Sequence, residues 1–379
     1  MSKTPYLVVT ALLLLLLVAP VSAFSGAGSG TSADPYRITN ASQFLEMRSN
    51  YGYFVLENDI DMTGKTWSGY VYKGDSDRPF HLDGQGHVVK NLTLISYLSG
   101  MFIIEGDDFS IKNVVFESPS INNAPTYGTG SAGLIAGGVS YPITIENVGI
   151  VNANFKATGT GRIFGDEYWP GHAYVGGFFS NINSNCTIKN CFVTGNFTVK
   201  SPDTKQAGGI YPRKSSEANP VILNCYTKIT SNADTVYGIG PEGENVSSCY
   251  YDSSSSNTPG AGTGVTLAQL QRPSTFVGWN IGFEPPWVMS LSDSPLLGMP
   301  CFKFMADYRE PIYPIMNLTI VADEETNYVG VPILIKWSDD EPESEATNYA
   351  LNITNPNGEI VYTNYAKAGS YTLTPDIPG

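Results

Sequence analysis

From about Phe80 to Tyr251 one short alternation of apolar and polar positions keeps returning: an apolar β-former, a polar residue, an Asn and a second apolar residue. It reads Val89-Lys90-Asn91-Leu92, Ile111-Lys112-Asn113-Val114, Ile145-Glu146-Asn147-Val148, Ile188-Lys189-Asn190-Cys191 and Ile222-Leu223-Asn224-Cys225. A worn sixth copy, Val246-Ser247-Ser248-Cys249, has Ser in place of Asn. Between copies stands a glycine phrase: Gly100-Met101-Phe102, Gly133-Leu134-Ile135-Ala136-Gly137, Gly176-Gly177-Phe178-Phe179, Gly208-Gly209-Ile210-Tyr211 and Gly238-Ile239-Gly240. The Asn-to-Asn steps are 22, 34, 43 and 34 residues, an elastic period under a constant alternation. Such self-similarity is the signature of a solenoid.

Each repeat holds two or three runs of four to six residues rich in Val, Ile, Phe and Thr, separated by Gly, Asn, Ser or Pro. Runs of that length and composition predict strands joined by turns. A lone coil cannot bury its apolar side, whereas stacked coils can, each strand pairing in parallel with its equivalent about 4.8 Å away. The expected fold is therefore all-β: a right-handed parallel β-helix over 34–305, with insertions confined to its turns. Long turns add little closure entropy, which accounts for the elastic spacing. Asn91, Asn113, Asn147, Asn190 and Asn224 are expected to stack as an amide ladder. Asn also tolerates the left-handed backbone of a sharp corner.

The paired phrases resemble the GLUG repeats of bacterial and archaeal surface proteins, in which a glycine-hydrophobic-glycine strand alternates with one ending in Asn-Cys-Tyr. Asn224-Cys225-Tyr226 and Ser248-Cys249-Tyr250-Tyr251-Asp252 are similar to that ending. So are the opening Asp34-Pro35-Tyr36-Arg37-Ile38, Gln43-Phe44-Leu45, Asp59-Ile60-Asp61-Met62 and Phe80-His81-Leu82-Asp83-Gly84-Gln85-Gly86-His87, and the closing Leu267 to Gln271 and Thr275 to Trp279. The resemblance covers about 30–305. It implies a pectin-lyase-like β-helix in an adhesin-like surface protein. The second coil departs from it, with Ala136 and Gly137 where Val-Gly is usual.

Residues 1–23 read as a signal peptide: Lys3, an apolar run from Leu7 to Val18, then Val21-Ser22-Ala23. The run is short for a membrane span, and an uncleaved anchor is the alternative. Either way the rest is expected outside the cytoplasm, secreted or on the cell surface. Residues 24–33, rich in Gly and Ser, read as a flexible leader. Gln43 to Ser49 is the best helical stretch, with Asn40-Ala41-Ser42 as its cap, and Leu267–Gln271 is a second short one. From about Ile312 the alternation changes to that of a small β-sandwich, so 312–379 is expected to be an immunoglobulin-like module with a hairpin turn at Asn355-Pro356-Asn357-Gly358. It ends where a further strand should begin, as in a fragment of a longer chain.

Composition narrows the function. Only 15% of residues are charged and the formal net charge is −14, which argues against nucleic acid and anionic membrane surfaces as partners. Ten Asp and Glu against two Lys fall within 316–379. Asp339, Asp340, Glu341, Glu343 and Glu345 suggest either a calcium site or, preferably, a solvated acidic loop. Seven Asn-x-Ser/Thr sequons, at Asn40, Asn91, Asn185, Asn196, Asn245, Asn317 and Asn352, are candidate glycosylation sites. Cys191, Cys225 and Cys249 hold one place in three successive coils and read as stacked core fillers, with one disulfide as the alternative. Cys186 and Cys301 have no evident partner in the sequence. There is no CxxC pair, and neither a metal nor another cofactor is expected.

Three functional classes compete. A polysaccharide-degrading enzyme needs two carboxyl groups on one groove, and Asp107-Asp108 and Asp166-Glu167 are the candidates. His81 and His87 flank Asp83-Gly84-Gln85-Gly86, which reads as a turn. No HExxH or phosphate-loop motif occurs. A carbohydrate binder would use rings in the insertions: Tyr127, Tyr168, Trp169, Tyr174 and Tyr211. The longest insertion combines Asp166, Glu167, Tyr168, Trp169 and His172, and loops on rigid scaffolds often carry function. The favoured expectation is a non-catalytic stalk or adhesin whose partners are extracellular glycans or surface proteins. Self-association is left open.

Overall fold

Apolar residues two apart along the phrase place every second side chain on the same side of a strand. Stacking the phrases turns those side chains into columns. Leu82, Ile111, Ile145, Ile188 and Ile222 are in parallel register from coil to coil, and each is at most 1% exposed. Burying one such side chain contributes roughly 1.5–3 kcal/mol. The computed structural model describes residues 24–305 except 96–98, 244, 280 and 283–285, and the backbone of six short strands beyond 305. It is a mostly β chain, built on a 17-stranded sheet whose coil-to-coil pairings are parallel. A four-stranded parallel sheet, from Gly130–Ala132 through His172–Gly176 and Thr204–Gly208 to Thr235–Tyr237, forms another wall.

The strand Thr144–Thr158 bends at Asn147 and Asn152, both at φ 54°. Residues just past the Asn147-type corner alternate in and out. Val114, Val148, Cys191, Cys225 and Cys249 turn inward, and Phe116, Ile150 and Val193 follow two places on. The residues between them, Val115, Phe192 and Tyr226, face outward yet are fully buried. Gly149 occupies this outer column between Val115 and Phe192, and a Cβ there would stand 2.4 Å from Phe192 Cζ. A second apolar core covers the column. The chain after Val265 folds back along the flank, bringing Phe276, Trp279, Trp287 and Phe302 onto it. Tyr226 Oη donates to Pro300 O at 2.6 Å, and Trp279 Nε1 to Ser248 O at 3.0 Å.

The first helix is Ala41–Glu46, capped by Asn40, whose side chain accepts from the Ser42 and Gln43 amides. It begins two residues before the expected start and seats Phe44 against Trp67. Leu267–Leu270 is the second, closed by a Thr266–Gln269 capping box. The leader 24–33 is not a flexible linker. Phe24 is buried, the Ser25 amide and hydroxyl both donate to Glu46, and the Tyr53 amide donates to Gly30 O at 2.9 Å. Gly28 and Gly30 sit at φ 97° and 77° with Pro35 and Tyr36 pressed against them. Those glycines serve a tight fold-back rather than mobility.

The strands Asn317–Val321, Ile333–Ser338 and Gly369–Leu373 form one antiparallel sheet, and Leu351–Thr354 pairs with Ile360–Asn364. The expected signal peptide, the acidic cluster Asp339 to Glu345 and the turn at 355–358 lie outside the described residues. No helix among the described residues is long and apolar enough to cross a membrane.

Candidate functional site

The structure separates positions that the chain uses on itself from those it leaves to solvent. Asn113, Asn147, Asn190 and Asn224 all stand at φ between 51° and 55°. Asn147 Nδ2 donates to Asn113 Oδ1 at 2.8 Å, Asn190 to Asn147 at 3.0 Å, and Asn224 to Asn190 at 3.2 Å. The row starts at Asp83, which accepts from Asn113 Nδ2 at 3.0 Å. Asn91 is not part of it. Lys90 opposes Glu117, and Glu117 opposes Val151, so Asn91 belongs to the next corner with Ser118 and Asn152. Its amide donates to Asp61 and Thr63 instead. The odd step of 22 residues thus came from joining two different corners, and the coil-equivalent step is 30, from Asp83.

The glycine phrase forms a second line of close approach. A Cβ on Gly177 would lie 2.4 Å from Gly209 O, and one on Gly209 only 2.0 Å from Gly238 O. The thiols of Cys191, Cys225 and Cys249 stack where earlier coils hold Val114 and Val148. Burial pushes the Cys225 thiol well up, and a bond with Cys225 together with burial does the same to Cys249. Cys186 is pushed up to about 12 by burial. These four thiols form no disulfide, and Cys301 lies in the outer core. Such thiols are inert fillers.

Of the five proposed sugar-contact rings, two are not available. Tyr211 is fully buried because it closes the glycine phrase facing inward, with its hydroxyl on Pro241 O. Tyr174 is buried under the Arg213 guanidinium, 4.8 Å above its ring. Tyr127, Tyr168 and Trp169 are exposed. The last two lie on a hairpin, Arg162–Phe164 against Glu167–Trp169, that departs from the stacked sheet. Gly165, at φ 63°, and Asp166 make its turn. All six strand residues are exposed, including Ile163, Phe164, Tyr168 and Trp169. Asp203 fastens its base, accepting from Tyr168 Oη at 2.8 Å and from the Gly171 amide at 2.7 Å. That bond raises the pKa of the Tyr168 hydroxyl. His172 does not share the exposed loop; it is half-buried beside Tyr174. Phe164, Ile163 and Arg162 were not singled out in the sequence, although Ile163-Phe164 and Tyr168-Trp169 on either side of Gly165-Asp166-Glu167 were a usable hairpin signal.

The acidic candidates disperse. Asp166 and Glu167 are exposed, at the hairpin's turn and at the start of its second strand. Asp108 accepts a contact from His81 Nε2 at 2.8 Å, and His81 Nδ1 meets Ser110 Oγ at 2.9 Å. This Ser–His–Asp chain lies on the outer face of the parallel sheet. Both neighbouring strands pair with Ser110's strand, so its main-chain donors are committed to the ladder rather than to a developing oxyanion. His87 pairs with Asp59, and Asp107 is exposed. A cleft of about 650 Å³ is bordered by Glu217 and Glu242 with Lys214, on turns of successive coils, and no aromatic side chain lines it. Among the described residues no group of three or more His, Cys, Asp or Glu could hold a metal.

Among the sequons, Asn40, Asn91, Asn185, Asn196 and Asn245 are exposed; Asn40 caps the helix, Asn91 makes the bonds above, Asn185 Oδ1 accepts from the Asn219 amide and Asn196 Oδ1 from the Thr230 hydroxyl. Asn317 and Asn352 lie on strands whose side chains are outside the described residues.

No protein-family model matches the chain, and no curated protein matches it. One solved structure, described as a "putative immunoglobulin A1 protease" from Bacteroides ovatus, is similar over 73% of this chain and 95% of its own. The identity is 22% and the TM-score 0.47.

Proposed function

We propose that the chain is an exported, non-catalytic surface protein of the GLUG-like kind. In this reading a right-handed parallel β-helix, followed by an immunoglobulin-like module over 312–379, holds a contact element away from the cell. One observation carries it. The hairpin gathers four large apolar side chains in solvent within eight residues, Ile163 at 72%, Phe164 at 65%, Tyr168 at 52% and Trp169 at 62% exposed. Clustered exposed apolar side chains mark interaction sites, whereas single ones are ordinary surface. The scaffold beneath it is braced by two cores and a continuous amide row, which fixes where the hairpin is held.

The test is adherence of beads coated with the full chain to cells and extracellular matrix. Replacing residues 162–169 by a short Gly-Ser turn should abolish adherence and leave the melting temperature in place. Undiminished adherence of the shortened chain would overturn the reading.

A further inference from the structure

Deepening the contact reading above, on which it rests, we infer that one face of the hairpin is a binding platform for a neutral oligosaccharide. Residues directly opposed in an antiparallel pair share a face. Arg162 opposes Trp169 and Phe164 opposes Glu167, so these four share one face, while Ile163 and Tyr168 occupy the other. Tyr127 joins the first face from the preceding coil. The Arg162 guanidinium carbon lies 5.2 Å from the Tyr127 ring and 5.2 Å from the Phe164 ring. Two exposed rings, Tyr127 and Phe164, thus flank one planar five-donor group, and the exposed Trp169 ring and the Glu167 carboxylate share its face.

The chemistry of this face selects its occupant. A pyranose offers a flat C–H face to an aromatic ring and a rim of hydroxyls that both donate and accept. Arg162 supplies donors, Glu167 supplies acceptors, and the rings supply the apolar floor. Charge decides between ligand classes. Asp166 and Glu167 on the hairpin outweigh Arg162, and the chain as a whole carries −14, which disfavours anionic sugars and anionic lipid headgroups. A purely apolar protein partner would leave Arg162 and Glu167 desolvated without compensation. The opposite face is different in kind. Tyr168 donates its hydroxyl to Asp203, so that face offers the Ile163 side chain beside a hydroxyl already engaged.

The experiment is an array of neutral and acidic oligosaccharides probed with the full chain and four variants. Saturable binding to at least one neutral oligosaccharide is expected, weakened at least tenfold by Trp169→Ala and by Arg162→Gln. Binding should change less than twofold in Ile163→Ser, which alters the other face, and in Val277→Ser, an exposed side chain outside the hairpin. Unchanged melting temperatures would show that Trp169→Ala acts on binding rather than folding. No binding to neutral sugars, binding restricted to acidic ones, or equal loss from both faces would overturn the inference. Bead adherence lost on hairpin replacement, together with an empty array, would sink the sugar assignment while leaving the contact reading intact. Adherence surviving that replacement would remove both.

Discussion

The Asn190 corner and the Arg162–Trp169 hairpin are built from the same backbone chemistry and end in opposite conditions. At the corner, the side-chain amide is taken up by the coils on both sides: Asn190 donates to Asn147 and accepts from Asn224. At the hairpin, the strands pair with each other and all six side chains are exposed, Tyr168 also bonding back to Asp203. Repetition is what separates them. A residue type that recurs in register finds its own copy 4.8 Å away, whereas an insertion present in one coil has no copy to bind. The solenoid therefore satisfies itself wherever it repeats and can serve a partner where it does not.

The comparison breaks hardest at the glycine line. Gly209→Val drives a Cβ to within 2.0 Å of Gly238 O, a main-chain atom that cannot turn aside, and should cost about 3 kcal/mol or more in urea unfolding. Next comes the ladder. Asn190→Ala at φ 51° loses two amide bonds and the αL-tolerant side chain, for about 2–3 kcal/mol. Asn190→Gly should recover the backbone part and lose less. If the two variants melt alike, strain at this corner is negligible and the amide row carries the whole effect.

Lys73 sharpens the contrast from the other side, as a group the scaffold buries without an acid. Its amine donates to Asn50 O beneath the Tyr51 ring, and burial, aided by nearby Arg78, lowers its pKa to about 7. The unfolded chain, with an ordinary lysine near 10.5, then binds more protons between those two values. Stability should rise with pH from about 7 to 10.5, by about 1 kcal/mol per pH unit at the steepest. Lys73→Met should be the more stable protein at pH 7, with the advantage shrinking towards pH 10.5. Parallel curves for the two proteins would mean the amine stays charged in the fold. The smallest effect is expected at the hairpin, where Trp169→Ala should change stability by less than about 0.5 kcal/mol.

Much of this was written in the sequence. The corner asparagines and the inward place shared by Val148 and Cys191 follow from spacing alone, because in-register stacking repeats one environment. Three features did not. Asn91 shares the spelling of the corner phrase but not its register, which only pairing of Lys90 with Glu117 reveals. Phe24 to Gly30 has a linker's composition, yet its glycines permit positive φ in a packed fold-back. Tyr211 and Tyr174 look like loop rings until their local surroundings cover them. The outer core was half visible: Phe192, Tyr226 and Tyr250 recur one place beyond the inward residue, a column of rings too apolar to face water.

Native-state hydrogen exchange, resolved along the full chain, tests the central contrast most directly. Amides at the Asn147, Asn190 and Asn224 corners should open only with global unfolding, while those of 162–169 should exchange orders of magnitude faster. Protection of the hairpin equal to that of the ladder would contradict the account, since it would mean that the protein already covers the surface assigned here to a partner.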